Sequence, residues 1–230
     1  MQFKSQFSLQ EVFVYVIIFQ TDNPILFGNR VIQMKINDIQ IISANADDIV
    51  INQNEIAARL KVKRGYTDNL MEECQKRLAN VIQYKCAYIR TNVDLSSENV
   101  CDFGFMTVES SHLYRNLSGC REAFVMAVTT GIGVDRLLAR LNVTSQAEHF
   151  VTDGLSSAAI ESFCDYVSDQ MKQGLNCAPR FSPGYGDVSI EVQKPLLQRL
   201  NAAENLGISL NSACLMTPIK SITAIMGVRK

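Results

Sequence analysis

Residues Glu122–Thr129 read EAFVMAVT, an almost unbroken apolar run. A strand without polar alternation is either buried on both faces or central in its sheet. Glycines at 131 and 133 end the run, and Val134–Leu141 (VDRLLARL) then resumes helical spacing. The longest helical pattern follows, over Ala147–Gln173. There Leu155, Ala159, Ile160, Phe163, Cys164, Val167 and Met171 keep one face apolar, and Gly174 is a natural stop.

Other segments fill in the architecture. Met34–Ser43 predicts a short strand and Asn54–Lys61 a short helix. Asp68–Tyr84 carries Leu70, Met71, Cys74, Leu78, Val81 and Ile82 at three- and four-residue steps, a helix with Thr67 as its N-cap. Cys86–Val93 and Phe103–Val108 read as strands around a polar turn at Asp94–Asn99, and Glu109–Asn116 as a helix. Asn176–Val188 is a loop with Pro179, Pro183, Gly184 and Gly186. Ser189–Leu206 is helical, with Pro195 inside it, so a kink or two abutting helices are expected. Ile208–Leu210, Ala213–Met216 and Ser221–Met226 are short strand candidates. Strands and helices do not alternate regularly, which favours α+β over a doubly wound sheet. The domain is expected to span residues 34–230. Residues 1–33 form an extension, with the apolar Val12–Phe19 as a strand or a weakly docked segment. That run is eight residues long, against the roughly 20 needed to span a bilayer.

Charge narrows the functional classes. Lys plus Arg number 22 and Asp plus Glu 23, a net charge of −1 without the basic footprint of a nucleic-acid protein. The seven cysteines (74, 86, 101, 120, 164, 177 and 214) are odd in number and lack CxxC spacing, and only His112 and His149 could join them in a metal site. Free thiols in a cytoplasmic protein, with no metal, are the expectation.

Two loops could carry chemistry. Thr129–Arg136 (TTGIGVDR) joins a strand to a helix through glycines, as phosphate-cradling turns do. It has Arg136 where a dinucleotide fingerprint needs its third glycine, so a plain connection is the default reading. The second is Arg180–Asp187, RFSPGYGD. Arg180 offers a planar two-pronged donor to a carboxylate, and Pro183 and Gly184 sharpen a turn that exposes backbone polar groups. Tyr185 adds a flat face and a hydroxyl. Asp187 could cap the helix beginning near Ser189.

The loop RFSPGYGD resembles the RxxxGY signature of the reactivation domain of cobalamin-dependent methionine synthase. Three further segments agree in order: Gly119–Leu141, Asp153–Val167 (DGLSSAAIESFCDYV) and Ser209–Gly227 (SLNSACLMTPIKSITAIMG). The resemblance covers roughly residues 34–227. Gly186-Asp187 follows Tyr185 as in small stand-alone relatives, where the full-length enzyme continues with proline.

The resemblance implies an α+β fold with a twisted, mainly antiparallel sheet flanked by helices. It implies S-adenosylmethionine as ligand, bound by Arg180, Ser182, Gly184, Tyr185 and Glu161. Arg180 would take the methionine carboxylate and Glu161 the ammonium or a nearby polar group. The backbone near Ser182 and Gly184 would serve the amine and adenine, and Tyr185 would face the cobalt and act in catalysis. The implied activity is reductive reactivation of a corrinoid methyltransferase, such as a split methionine synthase. Cobalamin would be carried by that partner chain, and the electron would come from a flavodoxin or ferredoxin-like donor. A non-catalytic module that binds S-adenosylmethionine or a corrinoid protein is the alternative. Neither reading calls for nucleic acid or a membrane.

Overall fold

The computed structural model describes residues 24–27, 30–33 and 37–229. The chain forms two compact units, Met1–Lys35 and Ile36–Lys230. In the first, β1 (Pro24–Phe27) and β2 (Arg30–Gln33) pair antiparallel, with Ile25 opposite Ile32. The expected extended segment at Val12–Phe19 lies outside the described residues.

The second unit is built on β3 (Gln40–Ala44), β4 (Tyr84–Asn92), β7 (Cys120–Thr129) and β10 (Ser221–Arg229). The spatial order is β10-β7-β4-β3 and every neighbour is antiparallel. The apolar run is therefore a central strand, and helices cover it on both sides. Alternation along β7 sorts the side chains. Ala123, Val125 and Ala127 join Ala87, Ile89 and Ile225 in one core. That core is closed by Leu113 of α3 (Ser111–Asn116), Leu196 of α6 (Gln193–Arg199) and Leu206 of α7 (Ala202–Leu206). On the other face Tyr84 meets Phe163 of α5 (Gln146–Lys172), with ring centroids 4.8 Å apart. Around α5 pack α1 (Gln53–Leu60), α2 (Asn69–Ala79) and α4 (Ile132–Thr144). The architecture is α+β, an antiparallel sheet flanked by helices, as the sequence leads one to expect.

Several local expectations change, each for a physical reason. The N-cap of α2 is Asp68, whose Oδ1 accepts from Met71 N at 2.8 Å, not Thr67. The helix stops at Ala79 because Tyr84 already belongs to β4. Phe103–Val108 is strand only at Thr107 and Val108. It holds the turn between β5 (Val100–Asp102) and β6 (Thr107–Glu109), closed by Phe103 N to Met106 O at 2.9 Å. Phe103 and Met106 are apolar because these two ends of the turn are buried. Pro195 sits in the first turn of α6, where a missing N–H costs nothing. The run does divide into two helices, α6 and α7, but the break falls at Asn201, which has φ 45°, and not at the proline. Ala213–Cys214 is a turn organised by Asn211, whose side-chain oxygen accepts from Ala213 N and Leu215 N, both at 2.9 Å. The flanking β8 (Ser209–Leu210) and β9 (Met216–Thr217) pair with each other.

Candidate functional site

The loop after α5 does not hang free. Its first half runs beside β10 as an irregular outer strand. Arg229 N donates to Asn176 O and Ala178 N to Gly227 O, and Phe181 and Ile225 exchange both backbone bonds, all at 2.8 Å. This pairing gives consecutive side chains opposite directions. Phe181 packs against the core cluster that α3 and α6 close. Arg180 turns to α5, where its guanidinium reaches Asp165 at 2.9 Å, Ser168 Oγ at 3.0 Å and Glu161 at 3.7 Å. Glu161 also faces Arg59 at 3.8 Å.

The second half, Ser182–Val188, is a tight turn. Tyr185 N donates to Ser182 O at 3.2 Å, Gly184 N to Val188 O at 2.9 Å, and Val188 N to Tyr185 O at 3.1 Å. Gly184 has φ +89°, a conformation side chains disfavour, so glycine is required there. Tyr185 projects outward and is 71% exposed.

Asp187 fixes the turn to its neighbour. It does not cap the segment near Ser189, whose own hydroxyl accepts from Glu191 N at 3.2 Å. Asp187 instead accepts from Ser111 N at 2.8 Å, from the Ser111 hydroxyl at 2.9 Å and from the Ser110 hydroxyl, at the start of α3. The Ser110 hydroxyl bond is the largest of the effects that hold this carboxyl well below the usual carboxylate range. The sign of the linkage follows. A lowered folded-state pKa contributes stability above the unfolded value, about 4, and loses it as pH falls below that. Asp187→Asn should therefore melt lower than wild type at pH 7, with the gap narrowing as pH drops below about 4. Thermal melts of both proteins across that range test it, and a gap independent of pH would dissociate the carboxylate from the loop anchor.

Between loop, helix and sheet lies a cleft of about 500 Å³. Its walls include Glu161, Arg180, Ser182 and Tyr185, four of the five site residues expected from the sequence; Gly184 shapes the turn behind them. The structure adds Pro183, Gln193, Met216, Ser221, Ile222 and Thr223. Ser221 is held in place by its hydroxyl, 2.7 Å from Pro218 O and 2.9 Å from Thr129 Oγ1. The quoted Ser209–Gly227 segment already contained Met216 and Ser221, but Gln193 had no signal, since a glutamine in a helical pattern reads as surface. Cys164 lies on α5 beside this ion-pair cluster, but burial pushes its thiol up to about 12, so it is no nucleophile. A more open groove of about 460 Å³ over α6, α7 and β8 has Lys194 as its one charged wall residue.

The glycine turn at 131–133 has a packing role. A Cβ on Gly133 would collide with the Val81 carbonyl oxygen, and Gly131 has φ +81° against Gln83. Asp135 in the first turn of α4 accepts from Ile219 N at 2.9 Å. These contacts explain the glycines without a phosphate. Among the described residues, no cluster of three metal-ligating side chains occurs and no helix is long and apolar enough to cross a membrane. All seven cysteines are free thiols.

No protein-family model matches the sequence, and no curated protein matches it either. Among solved structures the chain is similar to the crystal structure of the MetH reactivation domain bound to AdoHcy. The TM-score is 0.65, with 83% of this chain and 78% of that chain covered at 11% sequence identity. The fold of this chain is thus like the fold of that reactivation domain, at 11% sequence identity.

Proposed function

We propose that this protein binds S-adenosylmethionine in the cleft beside α5 and presents its methyl group to a corrinoid protein, reactivating a cobalamin-dependent methyltransferase such as a split methionine synthase. The observation that carries the reading is the paired charge at one end of the cleft. Arg180 and Glu161 stand 3.7 Å apart, an ion pair too long for a good hydrogen bond. An amino-acid end is a zwitterion and can insert between them. Its carboxylate accepts from the Arg180 fork, and its ammonium donates to Glu161. Each half-buried charge then exchanges one partner for another, so little desolvation is uncompensated. The AdoHcy bound by the structural neighbour has the same amino-acid end.

The chain's own contribution is to bind, orient and exclude water. The sulfonium charge disappears as the methyl leaves, so a carboxylate against sulfur would stabilise the ground state over the transition state. Glu161 and Asp165, both on α5, face Arg59 and Arg180 at the amino-acid end. The walls nearer the loop turn and β10 are neutral: Ser182, Pro183, Tyr185, Met216 and Thr223. The acceptor is reduced cobalt on the partner chain, formed with an electron from a flavodoxin or ferredoxin-like donor. Exposed Tyr185 is positioned to meet that partner.

Tyr185→Phe tests the reading, because it keeps the ring and removes only the hydroxyl. Ligand affinity should stay within about two-fold, while methylcobalamin formation from cob(II)alamin slows when corrinoid protein and reductant are supplied. If affinity falls and the saturated rate does not, Tyr185 is an ordinary ligand contact. If wild type never forms methylcobalamin with any corrinoid protein, the protein is a regulatory binder and not an enzyme component.

A further inference from the structure

Gln193 is the first residue of α6, 5% exposed, and part of the cleft wall. Its Oε1 is buried and meets no donor among the described residues. Buried polar atoms are almost always paired, and an unpaired one is costly. Because the residue lines the cleft, a turn of its side chain offers that unpaired acceptor to a donor on a ligand.

The cleft itself says which donor. Its charged wall residues, Glu161 and Arg180, belong to the amino-acid end of the ligand. Around the remainder stand Phe181, Pro183, Met216 and Ile222, apolar surfaces suited to a flat heterocycle. A primary amide matches adenine along its N6/N7 edge, accepting from the exocyclic amine and donating to the ring nitrogen. We infer that Gln193 is the base-selecting residue of the site, its Oε1 accepting from the 6-amino group of adenine. The inference rests on the S-adenosylmethionine reading and adds how the site tells adenosine from other nucleosides.

The discriminating ligand is the 6-desamino analogue of S-adenosylhomocysteine, with hydrogen in place of the amine. Inosine would be a poor probe, because a glutamine can turn its amide over and donate to a 6-oxo group. Titration calorimetry on the full chain should show the 6-amino ligand binding roughly 10–100-fold tighter than the desamino one. In Gln193→Met, of similar shape without the acceptor, that ratio should collapse to below about three-fold, chiefly through weaker binding of the 6-amino ligand. Wild type binding both ligands equally overturns the role of Gln193 and leaves the ligand reading standing. A preference unchanged in Gln193→Met does the same. Wild type binding neither ligand overturns the S-adenosylmethionine reading, and this inference with it. The wild-type ratio needs no variant, so a poorly folded Gln193→Met leaves the test intact.

Discussion

Phe163→Ala should lower the free energy of unfolding by about 3–5 kcal/mol. The ring has no exposed surface; it joins α5 to the sheet through Tyr84 at 4.8 Å and stacks on Tyr166 of the same helix at 6.2 Å. Truncation removes the transfer term of a whole aromatic side chain. It also leaves a cavity that a 27-residue helix, packed against α1, α2 and α4, cannot easily collapse into. Phe163→Leu, which keeps most of the volume, should lose less than about 2 kcal/mol. Urea denaturation of the three proteins gives the comparison, with equal slopes required for a two-state reading. A loss below about 1 kcal/mol for the alanine variant would mean α5 is not anchored through this ring. The result bears on function because Glu161, Asp165 and Ser168 flank Phe163 on the same helix.

Arg180→Ala should weaken S-adenosylmethionine binding by about 1.5–3 kcal/mol, roughly 10–150-fold, as expected for a charge-assisted hydrogen bond. The variant also strands Asp165 and Glu161 near one another without their shared guanidinium. Part of any loss of folding stability therefore comes from like-charge repulsion along α5, and binding must be compared below both melting transitions. Arg180→Lys restores the charge but not the planar fork, so it should recover only part of the affinity. Calorimetry showing equal affinity for wild type and Arg180→Ala would remove Arg180 from the ligand site.

What the sequence made legible follows its physics. The β7 run could be placed at the centre of a sheet because burial on both faces erases alternation, and no tertiary knowledge was needed. The α5 stripe was readable for the converse reason, a regular apolar face over many turns. Arg180, Tyr185 and Glu161 were singled out by motif resemblance, and the structure sets them around one cleft. Phe103 and Met106 misled because burial of a turn and burial of a strand leave the same apolar letters. Asp187 was assigned to the nearer helix, and its true partners at Ser110 and Ser111 are 76–77 residues away in sequence. Gln193 was invisible, because only packing turns an ordinary helix glutamine into a buried acceptor.

The pairing of residues 176–181 with β10 has a consequence for solubility. An uncovered sheet margin is a template on which another unfolded chain can add a strand, and proteins shield such margins with short, bent or charged segments. The outer margin of β10 is nine residues of mostly buried, β-prone side chains, an aggregation hazard if bared. The 176–181 segment shields it with irregular bonds that Pro179 interrupts, so the shield cannot itself recruit a further strand. The segment that holds Arg180 against α5 thus also guards the protein against self-association. Substitutions that loosen it would surface first as turbid preparations, and occupancy of the cleft should protect against that turbidity by holding the guard in place.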